Sequence, residues 1–352
     1  MTQDVQPWYT SLSRTLAGRP PALNLALQGG GAHGAFTWGV LEALLNEPDF
    51  HFEGISGTSA GAMNAVLFAE GWRKGGREGA LELLESFWTA MGQNPALGLM
   101  VQGEGDAFGL SSTGKFLMQW AGRFSPAQIN PLDLNPLRDS LKRHVDFDAL
   151  AKNSPFKLFI AATQANSGKV RVFREYELNP DVLLASACLP KIHRAVTIDG
   201  EPYWDGGYSA NPAVYPLFYD CRSKDVLLVL LSPLKYDVTP HSAEEISQRA
   251  LEIAFSANFM REMRMFVHAA EYAAEGWLKL GRLERRLRGM RFHMVDIASQ
   301  ASLQRTDTKA LAHGPFLGRL RAAGRGCGEA WIAEHAASVG RQGSVDLKKW
   351  FG

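Results

Sequence analysis

Gly57-Thr58-Ser59-Ala60-Gly61 sets a serine two residues from a glycine on either side. A serine that attacks a carbonyl must project from a sharp strand-to-helix turn, where neighbouring Cβ atoms would collide. Glycines at both flanking positions, here Gly57 and Gly61, remove that collision, which is the nucleophile-elbow pattern G-x-S-x-G. The pattern means little without its setting, and the setting is present: a short strand signal at about 53–56 precedes it and a helical pattern at about 60–70 follows. The start of that helix also turns the positive end of its dipole toward any developing anion.

A second glycine cluster, Gly29-Gly30-Gly31-Ala32-His33-Gly34, lies between a strand signal at 23–27 and a helical pattern at about 35–45. Successive glycines let backbone N–H groups converge on one point, which can hold a phosphate or a tetrahedral oxyanion. Gly29, Gly31 and Gly34 also satisfy G-x-G-x-x-G, so dinucleotide binding is the alternative. That chemistry needs an acidic residue at the end of the second strand. Glu53 is near the required distance but begins its strand, which instead delivers Ser59. Two glycine turns on adjacent parallel strands suit a nucleophile beside an oxyanion hole better.

A serine needs a base. No histidine stands in an evident triad position: His33 lies inside the glycine loop, His144 and His193 are flanked by basic residues, and His241, His268, His293, His313 and His335 lie in the distal part of the chain. Structural or solvated roles are expected for them. Trp204-Asp205-Gly206-Gly207 is the notable alternative, an aspartate that ends a strand and is followed by Gly206 and Gly207, which allow close backbone approach. Asp199-Gly200 competes but reads as a hairpin turn between two short strands. Ser59 and Asp205 are 146 residues apart, so their proximity does not follow from the residues alone.

Taken together in order and spacing, G-G-G-x-x-G, G-x-S-x-G and D-G-G resemble the patatin-like phospholipase family. Ala185-Ser186-Ala187-Cys188-Leu189-Pro190 adds a similar small-residue helix ending in proline. The resemblance covers about 22–231 and implies a three-layer α/β/α fold with a mainly parallel central sheet. It further implies a serine acyl hydrolase that cleaves fatty-acyl esters of lipids. By that resemblance Ser59 is the nucleophile, Asp205 its general base, and Gly29, Gly30, Gly31 and Gly34 form the oxyanion loop. His33 stands where the family often has lysine or arginine, which removes a charge from the loop but not its backbone donors. The alternative on the same fold is a catalytically inactive lipid-binding or scaffold protein. No calcium loop or metal-ligand spacing occurs, so no metal and no cofactor are expected.

The elements that must position these residues follow α/β order, strand–turn–helix twice over. Helical patterns at 81–91, 114–120 and 136–144 come next, with Pro/Gly-rich stretches at 92–135 as candidate cap segments. Two hairpins are expected around Asn166-Ser167-Gly168 and Asp199-Gly200, a short helix at 181–187, and a buried strand at 225–231. The boundaries read as an N-terminal extension 1–21, an acyl-hydrolase domain 22–231 and a largely helical C-terminal extension 232–352. In that extension a long helix is expected at 243–288, with Leu251, Phe255, Phe259 and Met263 as its stripe, and an edge strand at 292–297.

Composition mainly excludes. At 46% hydrophobic and 21% charged the 352 residues are not a disordered chain. A net charge of +1 gives no general reason for nucleic acid. Cys188, Cys221 and Cys327 are too widely spaced for a disulfide framework or zinc site. No signal-like or membrane-spanning run is present, so a soluble cytoplasmic chain is expected. Charge is uneven, however: residues 279–291 carry six basic residues and one acidic, with Leu280, Leu283 and Leu287 at helical spacing. Such a segment can lie on an anionic membrane at the inner surface, or dock as a solvated helix onto its own domain. The aromatic residues at 8–9, 87–88, 116, 120 and 124 read as core rather than as an acyl-chain pocket.

Overall fold

The computed structural model describes residues 22–93, 101–102, 109–112, 114, 123–275, 281–297 and 306–352. The extension 1–21, the helical pattern at 114–120 and the aromatic positions 8–9, 116 and 120 fall wholly or mainly outside these.

Eight strands form one sheet: β1 (Ala22–Leu27), β2 (His51–Thr58), β3 (Lys157–Gln164), β4 (Val170–Arg174), β5 (Val196–Ile198), β6 (Glu201–Asp205), β7 (Asp225–Leu230) and β8 (Arg291–Asp296). Their order is β8–β7–β1–β2–β3–β6–β5, with β4 also paired to β3. The five from β8 to β3 run parallel; β4 and β6 each pair antiparallel with β3, and β5 pairs antiparallel with β6. The main helices are α1 (Gly34–Asn46), α2 (Ala60–Gly92), α3 (Pro136–His144), α4 (Phe147–Asn153), α5 (Pro180–Ser186), α6 (Tyr215–Asp220), α7 (Ala243–Glu275), α8 (Arg282–Gly289), α9 (Gly314–His335) and α10 (Leu347–Phe351).

Alternation along the strands separates the two faces of the sheet. Leu23, Leu25, Leu27 and Ile55 pack with α1, α2 and α9 on one face. Ala26, Val226, Leu228 and Leu230 pack with Phe259, Met263 and Phe351 on the other. With both faces covered, β7 is fully buried and apolar beyond its first residue, as a central parallel strand requires. Local chemistry places the ends. Asn135 and Asn179 cap α3 and α5, each followed by proline at the first helical position. Asp199 and Gly200 both take positive φ, 52° and 84°, in the hairpin between β5 and β6.

The helices anticipated at 60–70 and 81–91 are the two halves of α2, separated by a break at Gly75 and Gly76, where φ reaches 62° at Gly76. Two expectations change. The long helical pattern at 243–288 divides into α7 and α8. Leu251 does not join the α7 stripe: it is exposed, while Phe259, Met263 and Val267 are buried. Four-residue spacing drifts by about 40° per step on a 3.6-residue helix, so a stripe counted that way leaves the core within a few steps. The strand expected at 292–297 does form the sheet edge, as β8, and α9 lies against α1. The region beyond 231 therefore contributes to the central sheet and its helical layer.

The edge is tied down by Asp225, fully buried at the start of β7. It accepts from Arg291 at 2.6 and 2.9 Å and from the Gly340 N–H at 2.9 Å, and lies 3.2 Å from His293 Nε2. Burial alone would raise its pKa, but these partners hold the carboxyl well below the usual carboxylate range. Its stabilising contribution is thus present above the ordinary value of 3.8 and is lost as pH falls toward the folded value. Asp225→Ala is expected to lower stability by about 3 kcal/mol at neutral pH in urea unfolding, because Arg291 and His293 lose their acceptor; an unchanged midpoint would contradict this. Among the described residues no helix is long and apolar enough to cross a membrane.

Candidate active site

The functional motifs meet at the carboxyl ends of the parallel strands. β2 ends at Thr58, and Ser59 turns the chain into α2 with φ 54° and ψ −120°, a backbone conformation that L-residues rarely adopt. The flanking glycines are required: a Cβ on Gly57 would lie 2.5 Å from the Gly61 carbonyl oxygen, and one on Gly61 would lie 2.2 Å from that of Leu27. Thr58 Oγ1 donates to the Ala210 carbonyl at 2.8 Å. The Ser59 N–H donates to Ser186 Oγ at 2.9 Å, and Ser186 Oγ donates in turn to the Ala161 carbonyl at 2.7 Å. Ser186, at the end of α5, therefore ties the elbow to β3. Sequence reasoning placed this serine in a small-residue helix but missed its role. Ser186→Ala is expected to reduce kcat for ester hydrolysis at least about tenfold with KM little changed, through loss of elbow positioning. Equal losses in kcat for a variant of the same stability at a remote core position would contradict it.

The glycine loop lies directly against the elbow. A Cβ on Gly29 would sit 2.7 Å from the Thr58 carbonyl oxygen and 2.8 Å from Ser59 Cβ. The loop's N–H groups are not equivalent. That of Gly29 donates to Asn211 Oδ1 at 2.7 Å, and that of Gly34 closes the short helical turn onto the Gly31 and Ala32 carbonyls. Gly30 is half-buried and Gly31 exposed, with φ 59° at Gly31. Asn211 was invisible to motif reading, since nothing local marks it as a loop clamp 182 residues from its partner.

His33 is buried, with Nε2 2.8 Å from Thr308 Oγ1. Burial, reinforced by the nearby Lys309 charge, lowers its pKa to about 3, so it is neutral. Lys309 meets the loop through its backbone: its carbonyl oxygen lies 2.3 Å from where a Gly31 Cβ would be, while its Nζ lies 3.1 Å from Ser232 Oγ and 3.6 Å from Glu252.

Asp205 ends β6 on the same side. It is almost completely buried, and its Oδ1 accepts the Gly207 N–H at 2.7 Å. Its own N–H donates to the Cys188 carbonyl at 2.8 Å and its carbonyl accepts Thr163 Oγ1 at 2.8 Å, so the turn is fixed. Burial raises its pKa from 3.8 to about 7, against the opposing hydrogen bonds from Gly207 and from the Ser59 side chain. β3 brings Ser59 and Asp205 to one place across a separation of 146 in the chain: it pairs Ala161 with Thr58, the residue before Ser59, and Ala162 with Asp205. Gly206 and Gly207 allow the approach: a Cβ on Gly206 would lie 2.3 Å from the Ala161 oxygen, and one on Gly207 would lie 2.3 Å from the Phe255 ring of α7. Asn258, also on α7, donates to the Tyr208 carbonyl at 2.8 Å.

The dinucleotide arrangement finds no support. Glu53 accepts the N–H groups of Arg222 and Ser223, both at 2.7 Å, near the amino-terminal end of β2. The Gly29 N–H is already engaged. Phe87 and Trp88 are core residues, Trp88 donating to Asn64 Oδ1 at 2.9 Å. Cys188, Cys221 and Cys327 are free thiols.

A mainly parallel sheet between helical layers, with its glycine turns and buried acid at the strand ends, defines an α/β protein with its site where such folds bind ligands. The family model described as patatin-like phospholipase matches residues 25–218, more than half of the 352 residues, and the chain belongs to that family. No curated relative matches it significantly. Among solved structures it is similar to VipD from Legionella pneumophila, at 15% identity and TM-score 0.37, covering 87% of this chain and 67% of that one. It is also similar to the type III effector protein ExoU, at 15% identity and TM-score 0.34, covering 90% of this chain and 53% of that one. A structure of full-length ExoU with SpcU from Pseudomonas aeruginosa matches at 16% identity and TM-score 0.28, covering 91% of this chain and 79% of that one. The chain thus spans about two thirds of the first of these and about half of the second.

Proposed function

We propose that the chain is a lipid acyl-ester hydrolase in which Ser59 attacks and Asp205 serves as its base. The observation that carries this reading is the buried Asp205 carboxyl at the end of β6, brought by β3 to the same strand ends as a serine on a strained elbow. Asp205 accepts the Ser59 hydroxyl proton as the oxygen adds to the ester carbonyl, and returns it to the departing alcohol. The same carboxylate then takes a proton from water, whose oxygen attacks the acyl-serine, and returns that proton to the Ser59 oxygen as the fatty acid leaves. A carboxylate is ordinarily a weak base; burial brings this one to about 7, near the value that general-base catalysis requires at neutral pH. Esters suit a dyad better than amides, because an alkoxide leaves more readily than an amine.

The oxyanion falls to the N–H groups of Gly30 and Gly31, one such donor being worth about 3–4 kcal/mol. Gly29 and Gly34, whose own N–H groups are engaged, act by close packing: Gly29 against Ser59 and Gly34 against Ala60. The α2 amino terminus adds a favourable dipole. The reading is tested by fatty-acid release from a panel of phospholipids, lysophospholipids and triglycerides; release from at least one is expected, and release from none contradicts it.

Two of the six cations of the basic segment 279–291 are turned inward. Arg286 donates to the carbonyls of Leu217, Phe218, Cys221, Arg222 and Ser223, closing the end of α6, and Arg291 is paired with Asp225. Arg282, Arg285 and Arg288 remain exposed. The acyl-hydrolase domain is accordingly proposed to extend functionally beyond residue 231, since α7 packs on the Asp205 turn.

A further inference from the structure

On the acyl-ester reading, the substrate belongs to a lipid aggregate, and the enzyme must meet that aggregate with the face that carries Ser59. The sheet orients the choice. Arg291 pairs in register with Asp225, Asp225 with Leu23, and Leu23 with Phe52, so α8 lies at the amino-terminal level of the parallel strands. Ser59 lies beyond Thr58, six residues further along β2, which is about 20 Å away. A membrane held at α8 would face the wrong end of the sheet.

The Ser59 side carries a different surface. Ser186, which holds the elbow, is followed by the connection 187–195 leading to β5. Cys188 accepts the Asp205 N–H through its carbonyl and directs its thiol to the Arg194 carbonyl at 3.0 Å. The Arg194 guanidinium donates to the carbonyls of Ala127, Asn130 and Pro131, at 3.4, 3.0 and 3.1 Å. That segment is braced further: Ser125 and Gln128 form a capping box, and the Asn130 side chain bonds both the N–H and the carbonyl of Leu134. A cavity of about 210 Å³ opens here, bordered by Asn130, Leu134, Leu184, Ala187, Ile192 and Val196.

On this braced frame, apolar side chains point into solvent: Ile129 is 48% exposed, Leu132 78%, Leu134 69% and Ile192 51%. Polar bonds fix the backbone that bears them, so the leucines are held outward. Soluble proteins seldom cluster such side chains without a partner for them. Arg123 and Lys191, both exposed, lie next in sequence to Phe124 and Ile192, and Asp133 is the exposed acid within the segment.

We infer that Ile129, Leu132, Leu134 and Ile192 form the face by which the protein docks onto the surface of an anionic lipid aggregate, with Arg123 and Lys191 attracting headgroups. Insertion of a few aliphatic side chains with flanking cations gives reversible, salt-sensitive adsorption, as expected of an interfacial enzyme.

Two measurements separate this inference from the acyl-ester reading on which it rests. Flotation of the Ser59→Ala protein with phosphatidylcholine–phosphatidylglycerol vesicles reads docking without turnover. Leu132→Asp with Leu134→Asp is expected to lower the vesicle-bound fraction at least about tenfold. Ile192→Asp, across the Arg194 clamp, is expected to lower it in the same direction. Charge reversal at Arg282, Arg285 and Arg288 is expected to leave it unchanged. In the Ser59-containing protein, the leucine variant should lose hydrolysis of vesicle phospholipid while keeping wild-type turnover of a soluble short-chain nitrophenyl ester and the wild-type melting temperature. Undiminished flotation of both the leucine variant and the Ile192 variant overturns the inference and leaves the patch to a protein partner. Loss of flotation on reversing the α8 arginines alone overturns it in favour of α8. A wild-type protein that floats but cleaves no ester would fail the acyl-ester reading while leaving docking established.

Discussion

Ser59→Ala is expected to lower turnover of fatty-acyl esters by at least about 10⁴-fold, with the fold intact. The size follows from covalent catalysis: without the hydroxyl there is no acyl-enzyme, and the glycine loop and Asp205 can only assist direct attack by water. The fold should survive because the hydroxyl supports little else. It is the Ser59 N–H that bonds Ser186, and its carbonyl accepts the Met63 N–H in the first turn of α2; alanine retains both. The positive φ at this position imposes the same strain on alanine as on serine. Circular dichroism and a thermal melt alongside the assay separate lost chemistry from lost structure. A variant that keeps a tenth or more of wild-type activity would remove Ser59 from the mechanism.

Asp205→Asn should be comparably severe, about 10³–10⁴-fold, because an amide cannot take the hydroxyl proton. Its pH behaviour is more diagnostic. In the wild-type protein the base must be ionised, so kcat/KM should rise with pH through about 7 and level off above it. The same raised pKa sets the stability in the opposite sense. Between 3.8 and about 7 the folded protein holds a proton that the unfolded chain releases, so stability falls as pH climbs through this window. Above it, the wild type carries an ionised carboxylate in a dry site. The carboxamide of the variant can still accept the Gly207 N–H without that charge. Asp205→Asn should therefore melt higher than wild type at pH 8, by several degrees, and lose this advantage at pH 5. An inactive variant that is also less stable at pH 8 would contradict a buried, strained base.

How much of this was legible in the residues depends on the range of the interaction. The elbow, the glycine loop and the D-G-G turn are local patterns, because the backbone conformations they impose are local. So are Asp199-Gly200, whose positive φ values make the hairpin, and the proline starts of α3 and α5. What joins the site is not local. Asn211 clamps Gly29, Ser186 clamps Ser59, and Phe255 covers Gly207, all across long stretches of chain, and each is of an unremarkable type in its own neighbourhood. The division of the glycine loop has the same origin: motif spacing counts four glycines alike, whereas the fold occupies the N–H groups of Gly29 and Gly34.

Charge patterning left two readings of 279–291 open for a related reason. The basic run at 279–291 reads as a surface, but a guanidinium carries five donors and a long stem, and Arg286 uses them to bind carbonyls inside the protein. Spacing gives no sign of which arginines turn inward. The exposed leucines at 132 and 134 leave no mark in the sequence because they show no period; only the Arg194 clamp explains why they remain outside.

The central claim is that Ser59 is a nucleophile activated by Asp205, and covalent labelling tests it most directly. The protein would be treated with a fluorophosphonate probe over a pH series, and the modified site located by peptide mass spectrometry. A single adduct on Ser59 is predicted, forming faster as pH rises through about 7 and greatly slowed in Asp205→Asn. Folded protein that hydrolyses lipid esters yet takes the probe at another residue, or labels Ser59 equally well without Asp205, would contradict the account.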